Sequence, residues 1–265
     1  MTFLQKNLNL KYVYKSLNLY ILIVLVIFLS GCQTHSVTFT AKATGHDREI
    51  TIPLEIITQA KPSPTIIVAH PSDGLNWSRY VGFWGSLIKS WGYNVVLPDS
   101  FTPRGFKNKE VMYKSGLVDH GQRAEDLEQV AEWINKQSWH SGKIGMIGFS
   151  HGGAAVTRTS NKTSLISAGV AYYPGCKGTR GDTNPRIPVQ IHIGDEDTWT
   201  PSGGCVVLAK TNGLYDLYVY EGATHAFDIP APTRVLAGYT LSHDSVAAKQ
   251  AEERTRLFFQ KYLDR

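Results

Sequence analysis

The sequence predicts a single α/β domain with a mostly parallel central sheet and helices on both faces. Short, continuous apolar runs recur along the chain, as strands covered on two sides require. Segments with apolar residues at helical spacing lie between them. A chain of 265 residues, 42% apolar and 18% charged, suits one such domain with a sizeable core.

The first 31 residues stand apart from that pattern. They carry Lys6, Lys11 and Lys15 and no acid, followed by the unbroken apolar run Leu19 to Leu29. Eleven residues are too few to span a bilayer, which takes about 20, and fit the core of an export signal. The run ends in "LSGC", which resembles the lipobox of bacterial lipoproteins. The resemblance implies cleavage before Cys32 and a diacylglycerol on its thiol, an anchor in the cell envelope. Gln33 after that cysteine favours the outer membrane by the same resemblance. Residues 32–46 are polar, lack helical periodicity and read as a tether. The domain is therefore expected over residues 47–265.

Within it the elements follow in order. "EITIPLEII" alternates branched residues and reads as a strand. "PTIIVAH", "YNVVLPD", "KIGMIGF", "ISAGVAYY", "PVQIHIG" and "DLYVYE" read as buried strands. "YVGFWGSLIKSWG", "GQRAEDLEQVAEWINKQ" and the closing "SVAAKQAEERTRLFFQKYL" read as helices. In the second, Leu127, Val130, Ala131 and Ile134 form one apolar face.

The totals exclude some classes. The formal charge is +5, and the three lysines of the export signal supply part of it, leaving +2. A charge that small gives no reason to expect nucleic acid as a partner. C-x-x-C, H-E-x-x-H and G-x-x-x-x-G-K patterns are absent from the sequence, so no metal or cofactor is expected. With Cys32 lipidated, Cys176 and Cys205 remain, and an exported domain can oxidise such a pair.

Chemistry is expected around "KIGMIGFSHGG". A strand, then Gly148-Phe149-Ser150-His151-Gly152, then the small residues of a helix form the strand–turn–helix context of a nucleophile elbow. Ser150 is the candidate nucleophile and needs a base. Of nine histidines, His225 in "YEGATHAFD" follows the last predicted strand. The base needs an acid, and "IHIGDEDTWTP" offers Asp195, Glu196 and Asp197. The order serine, acid, histidine is that of α/β-hydrolases. An oxyanion hole would take the amide of His151 and one from "PSDGLN", where Pro71 has no N–H to give. Ser72, Asp73 and Gly74 are the candidates there. Arg104 either orients an acidic substrate group or pairs with Asp99 or Asp126. Trp77, Tyr80, Trp199 and Phe227 lie in candidate site loops, where each either walls an apolar pocket or packs in the core.

"GFSHGG", "GDEDTWTP", "EGATHAFD" and "LPDSFTPRG" together resemble the dienelactone hydrolase family of α/β-hydrolases. Gly194, Asp197 and Pro201 match the family's Gly-x-x-Asp-x-x-x-Pro, which singles out Asp197 as the acid. Ser72 matches the family's oxyanion loop position. "YPGC" and "GGCVVLA" are similar to a subgroup in which Cys176 and Cys205 lie close together. The namesake enzymes have a cysteine nucleophile where this chain has Ser150. The resemblance thus implies an ester or lactone hydrolase working through an acyl-enzyme. A non-catalytic binding module, an acyltransferase and a peptidase remain alternatives on the same residues. Substrate identity and oligomeric state stay open.

Overall fold

The computed structural model describes residues 35–43, 46–106, 118–162, 164–176 and 184–264. The expected export signal, Cys32 and the start of the expected tether lie outside them. Eight strands form one sheet in the order β1-β2-β4-β3-β5-β6-β7-β8. They are β1 (His35–Ala43), β2 (His46–Ile57), β3 (Ser63–Ala69), β4 (Asn94–Pro98), β5 (His140–Phe149), β6 (Ala168–Tyr172), β7 (Val189–Gly194) and β8 (Tyr215–Tyr220). β1 and β2 run antiparallel to their neighbours, and β4, β3, β5, β6, β7 and β8 are mutually parallel.

Most of the parallel strands are short apolar runs because both faces are covered; β8, expected as a buried strand, is instead an edge strand with Asp216 and Val219 exposed. Every residue of β4, β6 and β7 is buried, as are the last six of β5. The helices between them are α1 (Trp77–Gly85), α2 (Ser86–Ser90), α3 (His120–Ile134), α4 (His151–Thr159), α5 (Gly203–Ala209) and α6 (Ser245–Leu263). α1 winds in wide π turns from an Asn76 cap and hands over to α2. Asp119 caps α3 in a box with Gln122, and Asp244 caps α6 by accepting from the amides of Val246 and Ala247. Caps of this kind contribute about 1 kcal/mol each. Leu127, Val130, Ala131 and Ile134 of α3 face the core as their spacing requires.

The expected tether is corrected here. Residues 35–43 form β1 and pair with β2 in the register Val37↔Ile52 and Phe39↔Ile50. Val37 and Phe39 alternate with Ser36, Thr38 and Thr40, a period-two pattern that the polar composition conceals. The folded domain therefore includes residues 35–43. A short hairpin, β9 (Arg234–Leu236) and β10 (Tyr239–Leu241), also lay beyond the sequence reading. Ala237 and Gly238, both at positive φ, turn it.

Candidate active site

Parallel strands place their carboxyl ends along one sheet edge, where ligands of open α/β sheets bind. Ser72 follows β3, Ser150 follows β5, Asp197 follows β7 and His225 follows β8. Residues from distant parts of the chain therefore converge without any local signal linking them.

Ser150 takes φ 51° and ψ −113° between β5 and α4. That conformation is costly for a residue with a side chain. It survives because the neighbouring glycines allow close backbone approach. A Cβ on Gly148 would collide with the Gly152 carbonyl, and one on Gly152 with the carbonyls of Ala69 and His70. The turn holds the Ser150 hydroxyl at the mouth of the sheet, 8% exposed.

The Ser150 hydroxyl donates to Nε2 of His225 at 3.0 Å, and Nδ1–H of His225 donates to Oδ2 of Asp197 at 2.7 Å. These partners assign the proton to Nδ1. Asp197 is itself anchored. Its Oδ1 accepts from the amides of Trp199 and Thr200, at 2.9 and 2.8 Å, and its Oδ2 accepts from the Thr200 hydroxyl at 2.8 Å. The His225 ring packs against Tyr173, with centroids 4.6 Å apart, and against Trp199 at 5.0 Å. Such a relay can draw a proton from a hydroxyl and stabilise the imidazolium that results. Asp195 and Glu196 are exposed, and Asp195 accepts instead from the Gly222 amide.

A cleft opens above Ser150 and His225. Ser72 lines it, and so do Tyr80 and Trp199 among the expected aromatics. The Gly74 amide is committed to the Pro71 carbonyl at 3.2 Å, which removes it as an oxyanion donor. Phe227 is buried in the core against Tyr172 and Tyr220. The Trp77 side chain lies outside what is described. Cys176 and Cys205 are disulfide-bonded, joining the segment after Tyr173 to the start of α5.

Geometry settles the alternatives for Arg104 and shows where the His151 ring points. Arg104 does not face the cleft. Its guanidinium forms a two-pronged ion pair with Asp126 at 2.8 and 2.9 Å and donates to the Ser100 carbonyl. The His151 imidazole points away from the pocket: Nε2–H donates to the Val118 carbonyl, and Nδ1 accepts from Arg123. Burial, then the Arg123 charge, holds that imidazole well below its usual pKa. His70 is likewise buried and pushed down to about 3 by burial. It accepts from the Ser100 amide at 3.2 Å, a brace for the loop after β4.

Sequence reasoning missed Thr200, Tyr173, Arg79, Arg234 and Leu236. The last four line the cleft, two of them from the β9–β10 hairpin. Alternation in "RVLAGYTL" around Ala-Gly was the available signal for that hairpin. Single arginines such as Arg79 in α1 and Arg234 in β9 carry no comparable signal.

Comparison with known proteins follows the same line. The dienelactone hydrolase family profile matches residues 54–263. A carboxymethylenebutenolidase of Pseudomonas putida is 25% identical over 182 residues, covering 63% of this chain and 75% of that protein. A solved dienelactone hydrolase-like promiscuous phosphotriesterase from metagenomic libraries superposes with TM-score 0.68 at 15% identity, over 87% of this chain and 98% of that one. An esterase of Pyrococcus furiosus gives TM-score 0.64 at 18% identity, over 87% and 93%. The structural likenesses establish the fold. With the family profile spanning most of the chain, the protein belongs to the dienelactone hydrolase family, hydrolases of the α/β-hydrolase fold.

Proposed function

We propose that the chain hydrolyses a carboxylic ester or lactone through an acyl-enzyme, with Ser150, His225 and Asp197 as its catalytic triad. The observation that carries this reading is the unbroken hydrogen-bonded row from Ser150 through His225 to Asp197 at the floor of an open cleft.

His225 Nε2 takes the Ser150 proton as the Oγ attacks the carbonyl carbon. Asp197 holds the ring in the tautomer that leaves Nε2 free and offsets the charge that forms. The oxyanion is received by the backbone amides of His151, the first residue of α4, and Ser72 in the loop after β3. The helix dipole of α4 favours the same negative charge. The imidazolium then protonates the leaving alcohol. Water, activated by the same nitrogen, cleaves the acyl-serine and restores Ser150.

The sequence pattern of residues 1–31 and Cys32 supports, as part of this proposal, an activity on the envelope side of the membrane, held by lipid at Cys32. Incorporation of a fatty-acid analogue that disappears in Cys32→Ser is the test of the anchor.

The triad is tested with Ser150→Ala and a short p-nitrophenyl ester. Activity should fall at least about a thousandfold while the circular dichroism spectrum stays unchanged. A fluorophosphonate probe should label the parent chain and not the variant. Retained hydrolysis in Ser150→Ala would end this assignment.

A further inference from the structure

Among the described residues, the non-glycine positions at left-handed φ are Ser150 (51°), Tyr173 (38°), Ala226 (60°) and Ala237 (53°). Ala237 turns the β9–β10 hairpin. The other three gather around one side chain. Ser150 is hydrogen-bonded to His225, Tyr173 packs on its ring, and Ala226 follows it in the chain. Such conformations persist only where the surroundings over-determine them. The elbow accounts for Ser150. Tyr173 and Ala226 need a cause of their own.

Both lead to Asp228. The turn at Ala226 reverses the chain after His225, with the Ile229 amide donating to the Ala226 carbonyl at 3.3 Å. Asp228 is thereby folded inward and is 3% exposed. Its Oδ1 accepts from the Tyr173 hydroxyl at 2.7 Å and its Oδ2 from Nε1–H of Trp84 at 2.8 Å. Trp84 is itself wedged against Phe149 and Tyr172, at 5.0 and 5.2 Å between centroids. Both donors are neutral side chains. Burial pushes the Asp228 carboxyl up, and the hydrogen bonds from Tyr173 and Trp84 pull it down. A carboxyl group in so apolar a place is costly unless its lone pairs are used, and here each oxygen has a donor.

Tyr173 is clamped at three points. Its amide donates to the His192 carbonyl at 2.6 Å, and its carbonyl lies 3.1 Å from the Thr200 hydroxyl. Asp228 holds the third point, the phenol. The same Thr200 hydroxyl lies 2.8 Å from Oδ2 of Asp197. Tyr173 thus touches His225 with its ring and the acid's own brace with its backbone.

We propose that Asp228 is a positioning residue for His225. It fixes the Tyr173 ring, and that ring fixes the imidazole between Ser150 and Asp197. This rests on the triad reading given above. A small rotation of the imidazole lengthens the hydrogen bonds on both of its sides at once, and displacements of that size are costly in rate. Asp228 touches neither Ser150 nor the cleft and reaches the cleft only through the Tyr173 ring, so its removal should slow chemistry more than it weakens substrate binding.

The test uses Tyr173→Phe, Asp228→Asn and their combination, with Ser150→Ala as control. Tyr173→Phe keeps the ring and deletes the hydroxyl. It should lower kcat for p-nitrophenyl acetate about tenfold with KM changed by less than about twofold, and should slow fluorophosphonate labelling in parallel. Asp228→Asn keeps the shape and should act in the same direction. Because both act along one path, the double variant should be no slower than the slower single variant. Unchanged kcat and labelling in folded Tyr173→Phe would overturn the proposal, as would fold-losses that multiply in the double variant. If Asp228→Asn does not fold, Tyr173→Phe decides alone. An active Ser150→Ala instead removes the triad reading. An inactive Ser150→Ala beside a fully active Tyr173→Phe removes only the role of Asp228.

Discussion

Reduction of the Cys176–Cys205 disulfide should lower the melting temperature by roughly 7 to 14 °C. The bond closes a segment of 29 residues. Loop closure of that length removes unfolded-state entropy equivalent to about 3.5 kcal/mol at room temperature. A domain of this size shifts its midpoint by about 2–4 °C per kcal/mol. Both cysteines are buried, so the reduced thiols stay packed and reduction isolates the cross-link from cavity effects. The closed segment also carries β7 and the Asp197 turn, with Cys205 in α5 directly after that turn. The temperature at which ester hydrolysis is lost should therefore fall together with the fold. The assay is thermal melting by circular dichroism with and without a phosphine reductant, with thiol titration of the unfolded chain to establish complete reduction. A midpoint that moves by less than about 2 °C after complete reduction would refute the entropic reasoning, because the native packing would then be carrying the stability alone.

Asp197→Asn should cut kcat by about 10⁴ in an ester assay while leaving the melting temperature near that of the parent, because the amide can hold the wrong imidazole tautomer. Gly152→Ala should yield inactive or unfolded protein by circular dichroism and labelling, since its Cβ meets backbone carbonyls of Ala69 and His70 that cannot step aside. The pH dependence follows from His192, which burial, then the Arg254 charge, pushes down to about 3. The unfolded chain takes up this proton below about pH 6.5 and the folded one does not, so stability falls as pH drops from about 6.5 towards 3. At pH 5 this group costs about 2 kcal/mol relative to neutral pH and His70, pushed down to the same value, costs about as much again, so the melting temperature should be lower there by roughly 8 to 16 °C.

The most legible elements were those whose burial is uniform, although the partly exposed β2 and β8 were read as well. β4, β6 and β7 are covered on both faces, so continuous apolar runs announce them. α3 and α6 show their apolar stripe because one face meets the sheet. β1 escaped notice because an edge strand buries only alternate residues, and Val37 and Phe39 are diluted by threonine and serine. The nucleophile elbow was legible for a different reason. Backbone at positive φ forces glycines at fixed offsets, and steric demands of that kind are written locally.

The support around the elbow could not be read in the same way, and Tyr173 shows why. Nothing in "AYYPGC" distinguishes a tyrosine in left-handed backbone from a strand residue, because its conformation is imposed by partners far along the chain. His192 lies 19 positions later, Thr200 lies 27 later and Asp228 lies 55 later. Each is itself held by a different strand end or turn. The reacting groups are thus encoded in short patterns with stereochemical rules, whereas their alignment is encoded in tertiary contacts that no local rule links. Substitutions at Tyr173, Thr200 and Asp228 should accordingly leave every recognisable motif intact and still change the rate, and the Tyr173→Phe measurement separates those two levels of encoding.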